Sequence, residues 1–271
     1  MTRREPVAWN SEYWDLMTRL FWEPKRIECK SICGRRKEKE VINRLKRLEV
    51  PLNDIFNIFL RIAPSRFPGR LFSRAFDSPF DERFEFFGLE VADRYGFGNE
   101  NITQQDAFLV GDETLLMIEL KIGAKTKLEQ VEKYALLAAL EESETGPRER
   151  LLLLYLTPKK RFHQIWEEKF NDREELKKAL KRREYKPKSD TKRELDKIFP
   201  QHIEDVPNAM GRMEVGFMTY AELADALALE KKRTRLNPDA EGDETLTKLI
   251  DGLHCELMDR KNSQLTTINP D

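Results

Sequence analysis

Apolar positions along this chain follow two different periods, and the change from one to the other divides it. From Trp9 to about Leu60 the spacing is helical: in NSEYWDLMTRLF, Asn10 or Ser11 suits an N-cap, and Tyr13, Met17 and Leu20 follow on one face. EKEVINRLKRLEV repeats that pattern up to Pro51, DIFNIFLRI is short and apolar, and PSRFPGR interrupts with two prolines and a glycine. Residues 78–96 restart with Ser78 as N-cap and Pro79 as first helical residue. There Phe80, Phe84, Phe87 and Val91 share a helical face, and Gly96 supplies a stop, so the spacing predicts a helix.

The texture then becomes strand-like. ITQQDAFLV and TLLMIELKI are two short apolar runs joined by Gly111-Asp112-Glu113, a turn of hairpin length. KTKLEQVEKYALLAALEE returns to helical period, with Leu128, Val131, Ala135 and Ala138 as its stripe, until Gly146-Pro147 ends it. RLLLLYLTP reads as a strand covered on both faces. Residues 159–198 are charged and mostly helical, and are expected as a surface insertion. MEVGFMTYAELADALAL gives a last strand running into a helix with Thr219 as its N-cap. A polar linker at 231–242 and a short helix, TLTKLIDGLHCELM, follow. This order predicts an α/β fold: a mixed β-sheet flanked by helices, with an N-terminal helical region and a charged helical insertion.

Composition narrows the function classes. A chain of 271 residues that is 39% hydrophobic and 36% charged can bury a core and remain water-soluble. Its formal net charge of -1 hides two basic districts. Residues 1–50 hold thirteen Lys/Arg against eight Asp/Glu, and 159–193 hold fourteen against seven. Such districts suit a polyanion, although solvated helix faces have the same composition. Cys29, Cys33 and Cys255 make no disulfide framework, and C-x3-C with a distant His254-Cys255 is poor zinc spacing. No apolar run approaches the ~18 residues of a membrane span and no secretory leader is evident, so a cytoplasmic protein without a membrane partner is expected. Neither G-x-x-x-x-G-K nor G-x-G-x-x-G occurs, which argues against nucleotide-driven chemistry.

The hairpin carries the chemistry. Glu119 and Lys121 lie two residues apart in an apolar strand and therefore share a face, while Ile118 and Leu120 point the other way, toward a buried helix contact. If Val110 pairs with Leu115, Asp106 falls directly opposite Glu119. Two carboxylates at that spacing suit a hard cation such as Mg2+, which would polarise a phosphate and acidify a bound water. Lys121 would then orient that water or stabilise charge growing on phosphorus. Glu-x-Lys alone means little, since it recurs at 23–25 and 175–177 in stretches read as loop or helix. The other reading of Glu119–Lys121 is an ion pair on an edge strand. Among other candidates, His163 sits in KKRFHQIW where it could touch phosphate, and His202 and His254 have no acid or nucleophile at telling spacing. Trp9, Trp14 and Trp22 lie near basic residues and suit either base stacking or a helical core.

An acid, then E-x-K on a β-hairpin, then a helix bearing Q-x-x-x-Y resembles the PD-(D/E)XK nuclease superfamily, in its bacterial form. Here those residues are Asp106, Glu119-Leu120-Lys121, Gln130 and Tyr134, and the likeness extends over about residues 80–228 with a charged interruption near 168–210. Gln105 stands where the motif often has proline. The resemblance implies a restriction endonuclease-like fold and a Mg2+-dependent phosphodiesterase in which Mn2+ can substitute. It also implies Asp106, Glu119 and the Leu120 carbonyl as metal ligands, and Lys121 as the catalytic lysine. Gln130 and Tyr134 would line the site. An additional acid from the preceding helix is expected at Glu90, with Glu82 and Glu85 as the other choices.

On this reading residues 1–77 form the N-terminal helical region, 78–230 the nuclease-like core with its insertion at about 168–210, and 231–271 a linker and helix. The expected partner is nucleic acid, DNA in preference to RNA, with room for a homodimer of two cutting sites. A nuclease-like fold acting as a non-catalytic interaction module is the alternative.

Overall fold

The computed structural model describes residues 9, 13, 49–77, 79–87, 106–122, 125–187, 189–235 and 241–265. They belong to two compact units: one combines Met1–Ala63 with Tyr220–Asp271, and the other is Pro64–Thr219.

The second unit is built on a five-stranded mixed sheet in the order β1-β2-β3-β4-β5. Its strands are β1 (Glu85–Phe87), β2 (Ala107–Val110), β3 (Thr114–Leu120), β4 (Arg150–Thr157) and β5 (Glu214–Thr219). β1, β2 and β3 are antiparallel neighbours, while β3, β4 and β5 run parallel. Between parallel strands the chain must cross over, and helices provide the crossing. Numbering the helices whose bounds are described, α1 is Glu49–Ile62 and α2 is Phe67–Phe72. Helix α3 (Leu128–Thr145) joins β3 to β4, and α4 (Arg173–Arg182), α5 (Ser189–Ile198) and α6 (His202–Arg212) lie between β4 and β5. Gly146, with φ at 93°, follows α3 in a conformation that a side chain would strain, and so fixes the stop at the expected place.

Both faces of β3 and β4 are buried. Leu115, Met117, Leu151, Leu153 and Tyr155 join one core cluster with Val131, Tyr134, Ala135 and Ala138 of α3. By strand alternation Glu119 belongs to this α3-covered face, and Leu116, Ile118 and Leu120 belong to the other. A helix contact thus falls on the Glu119 face, whereas the sequence reading expected one on the Ile118/Leu120 face. Helix α3 is buried from Tyr134 through Glu141, well beyond one stripe, because the sheet covers one side and α6 packs on another.

The region read as a surface insertion completes this core. Leu176, Leu180, Leu195, Phe199, Val206, Ala209 and Met210 are buried in the same cluster, so the charges of 173–212 are the outer faces of amphipathic helices. A different outcome holds for the described part of the helix expected at 78–96, while Ser78, Val91 and Gly96 lie outside the described residues. Residues 79–84 form no helix, and 85–87 are the edge strand β1. Phe84 donates its N–H to the Ser65 carbonyl at 2.8 Å, and Phe86 pairs with Leu109. Long-range backbone partners override the local period here. The i, i+4 phenylalanine spacing serves a run of ring contacts instead, Phe76–Phe80 tilted at 5.9 Å and Phe80–Phe84 edge-on at 5.8 Å.

The other unit contains α1, α7 (Tyr220–Arg235) and α8 (Glu241–Leu265). α8 packs against α7 and α1, and it starts earlier than the sequence pattern suggested. Trp9 donates its indole N–H to the Leu249 carbonyl at 3.0 Å. A Cβ at Gly252 would meet that indole at 1.8 Å, so the close approach requires glycine. Trp9 is therefore packed in a helical core rather than presented for base stacking; Trp14 and Trp22 lie outside the described residues. Among the described residues no helix is long and apolar enough to cross a membrane.

Candidate active site

The hairpin sets the frame. Val110 pairs with Leu115 and Ala107 with Ile118, and continuing that register by one pair puts Asp106 opposite Glu119. Asp106 Oδ2 accepts the Leu120 N–H at 2.6 Å, so the acid is tied to the strand that carries its counterpart. Both acids sit where the parallel strands β3 and β4 end.

Glu119 is only 5% exposed, and an isolated carboxylate at that depth would be costly. Three side chains answer it. Lys121 Nζ lies 2.6 Å from Oε1, the Tyr134 hydroxyl donates a short bond to Oε2, and Gln130 Nε2 reaches Oε1 at 3.5 Å. Gln130 and Tyr134 are one turn apart on α3, and that spacing lets both address the same acid. Burial pushes the Tyr134 phenol well above its ordinary value, and the negative charges of Glu119 and Asp106 add to the shift. Tyr134 is therefore a proton donor to Glu119 throughout the physiological range. Tyr155, the register partner of Glu119 on β4, is shifted upward mainly by burial and then by Glu119. Its hydroxyl lies 3.3 Å from Thr126 Oγ1.

Asp106, Glu119, Leu120, Lys121, Gln130 and Tyr134 are thus brought together. Glu90 lies outside the described residues. The two alternatives to it are at the wrong end of the hairpin: Glu82 accepts the Glu113 N–H at 3.0 Å in the turn, and Glu85 pairs with Val110. Among the described residues no group of three or more His, Cys, Asp or Glu side chains is arranged to hold a metal ion. What the hairpin offers is two carboxylates and the Leu120 carbonyl, an all-oxygen set. Mg2+ is content with one or two carboxylates when water and substrate oxygens complete its shell. A carboxylate has about four lone-pair directions, so the bonds to Tyr134, Lys121 and Leu120 leave acceptor capacity. The donor chemistry fits a hard divalent cation.

Sequence reasoning passed over several neighbours. Tyr155 was legible as the one polar tip in LLLLYL, but its place beside Glu119 depends on the parallel register. Thr126 is bridged to Trp166, a contact 40 residues apart that no local signal announces. Lys121 and Gln130, both bound to Glu119, line a cavity of about 180 Å³ together with Thr126, Lys125, Lys127 and Lys133. His163 is exposed in a short 3-10 turn (Phe162–Ile165). His202 is buried on α6 with Nε2 at 2.9 Å from Asp196, a structural pairing across the α5–α6 corner. Cys255 is exposed and reduced, and Cys29 and Cys33 lie outside the described residues. No protein-family model, curated protein or solved structure matches this chain.

Proposed function

We propose that this protein is a metal-dependent nuclease of restriction endonuclease-like fold that hydrolyses phosphodiester bonds, DNA in preference to RNA. The observation carrying the reading is the Asp106–Glu119 pair across the hairpin, with Lys121 on Glu119 and a cavity lined by Lys121 and Gln130. Asp106, Glu119 and the Leu120 carbonyl would hold Mg2+ or Mn2+. When bound, the cation supplies charge neutralisation at the scissile phosphate and activation of water.

The chain's own residues have separable tasks. Tyr134 and Gln130 hold the Glu119 carboxylate in one orientation, and the raised phenol pKa keeps Tyr134 donating rather than repelling. Asp106 is fixed by the Leu120 N–H. Lys121 places a positive charge at the mouth of the site, where it can meet negative charge developing on a phosphate oxygen. Pre-set donors of this kind cost no rearrangement at the moment of reaction.

The test is direct: purified protein is incubated with single- and double-stranded DNA and RNA, with Mg2+, with Mn2+ and with EDTA. Cutting is expected with either metal and none with EDTA. Lys121→Ala should lower the rate by about 10²–10³-fold, the usual loss for one preorganised charge-stabilising group. A wild-type protein that cuts nothing, or a Lys121→Ala protein that cuts at the wild-type rate, overturns the assignment.

A second reading is favoured by one observation: both Glu119 oxygens already accept from protein donors. On that basis the hairpin would be a closed polar network in a nucleic-acid or protein interaction module. Calorimetry separates the two, since the module binds neither Mg2+ nor Mn2+.

A further inference from the structure

The cleft beside Glu119 has a chemistry that the hairpin motif does not account for. Four lysines, Lys121, Lys125, Lys127 and Lys133, line it against two carboxylates, Glu129 and Glu167, so its lining carries an excess of positive charge. The backbone explains why they converge. Thr126 donates its N–H to the Ile165 carbonyl at 2.6 Å and accepts from Glu167 N–H at 2.9 Å, which holds the segment after β3 extended. In an extended segment residues i and i+2 project to the same side. Lys125 and Lys127 therefore both reach the cavity while the Thr126 side chain is buried toward Tyr155. Lys133 joins them from the second turn of α3.

Size and chemistry then select the occupant. Pockets that enclose a small molecule usually measure roughly 300–1,000 Å³. At about 180 Å³ this cleft is too small to engulf a nucleotide cofactor, but it suits a backbone that passes across it. Its lining has no aromatic ring to stack a base and no arginine to read a base edge bidentately. Gln130, which could read a base, is turned to Glu119. Lys127 pairs with Glu167 at 3.3 Å, both about half exposed, and such a surface pair yields readily to a phosphate. By contrast, the basic district at 159–193 has several charges already engaged within the fold: Arg183 with Glu132 at 2.7 Å, Arg173 with Asp77 at 3.6 Å and Lys186 with Glu184.

From this we infer that Lys125, Lys127 and Lys133 grip the sugar–phosphate backbone of a nucleic acid next to the reacting phosphate, without regard to base sequence. The identity of the polyanion rests on the nuclease reading; the grip itself does not require cutting. Contacts of this kind position a substrate but do not specify a base.

The experiment is equilibrium binding of the full chain to random-sequence duplex DNA by fluorescence anisotropy, in EDTA, over a series of salt concentrations. Each phosphate neutralised on duplex DNA contributes about 0.9 to the slope of log K against log salt, so a triple Lys125→Gln, Lys127→Gln, Lys133→Gln protein should lose about 2.7 of that slope. Its affinity at low salt should fall at least about tenfold. Lys177→Gln with Lys178→Gln, both exposed on α4, serves as control and should leave the slope unchanged. The single Lys125→Glu protein provides the same reading with a smaller change if the triple variant is unstable.

The proposal is overturned if the triple variant keeps the wild-type slope with an unchanged circular dichroism spectrum. It is equally overturned if the α4 control loses as much, if binding depends on base sequence, or if polyglutamate binds as tightly as DNA. Because EDTA is present throughout, a protein that binds through these lysines yet never cuts with Mg2+ sinks the nuclease reading and keeps this one.

Discussion

Two glutamates of this protein are buried in ion pairs of nearly the same length, and they differ in how the paired residues are brought together. Glu256 pairs with Arg260 at 2.8 Å, one turn apart on α8, with side chains 0% and 4% exposed. Glu119 pairs with Lys121 at 2.6 Å, on a strand, with side chains 7% and 13% exposed. The α8 pair is local: once the helix forms, the two residues meet. The β3 pair shares its acid with Tyr134 and Gln130 from α3, stands opposite Asp106 from β2, and opens on a cavity lined by further lysines. A charge pair whose acid gathers donors from several elements at the edge of a cleft is arranged for a ligand. One between residues a single helical turn apart has its geometry set as soon as the helix forms.

That comparison can be broken at several points. The largest stability change is expected at α8. Glu256→Ala takes from the buried Arg260 the carboxylate one turn away and should cost about 3–5 kcal/mol, measured by denaturant unfolding. Lys121→Ala, which leaves Glu119 with Tyr134, Gln130 and the adjacent cleft, should cost clearly less in the same measurement. If Lys121→Ala proves the more destabilising, the roles assigned to the two pairs are reversed.

Tyr134→Phe comes next. It deprives the buried Glu119 of its closest donor and should cost about 1–3 kcal/mol. Its pH signature is more specific. In the unfolded chain the phenol ionises near its ordinary value of 10.0, whereas the native state keeps the proton because of burial, Glu119 and Asp106. Above pH 10 the unfolded state therefore binds fewer protons than the native one, and unfolding free energy falls as pH rises. The Tyr134 contribution is complete below pH 10 and is lost progressively above it. Tyr134→Phe should flatten that alkaline limb; an unchanged slope between wild type and variant would show that the phenol does not titrate as its surroundings require.

The smallest effect is expected at the mouth of the cleft. Lys127 and Glu167 are about half exposed, and Glu167→Ala should shift stability by no more than about 1 kcal/mol. The same change should leave Lys127 more available and raise nucleic-acid affinity slightly, an effect visible in the anisotropy titration. A loss of several kcal/mol would mean that the cleft is a structural seam.

Much of the sheet was legible because period-two runs and turn residues coincide. The hairpin at 107–120, the buried strand at 150–157 and the strand β5 running into α7 all appear where alternation, Gly111 and Gly146-Pro147 set them, although α7 continues to Arg235 through the start of the expected linker at 231–242. The expected register, Val110 against Leu115, is also the observed one, since a three-residue connection leaves little freedom. Where sequence misled, a tertiary partner had outvoted a local period. Phe80, Phe84 and Phe87 repeat at helical spacing, yet their chain runs extended because β2 and Ser65 supply its backbone bonds. Charge density made the insertion at about 168–210 look like a surface appendage, although its sparse apolar positions are enough to cover α3.

The site divides in the same way. Residue type and spacing alone determined that an acid, Glu-x-Lys and Q-x-x-x-Y would lie on successive elements, because strand and helix periods are properties of the local backbone. Only the tertiary structure decided that Glu119 faces α3, that Tyr155 stands beside it, and that Lys125, Lys127 and Lys133 meet in one cleft. Those neighbours are joined through the parallel register of β3 with β4 and the Thr126–Trp166 bridge, contacts between segments far apart in the chain. Such contacts form only when the whole core packs, and no local pattern carries them.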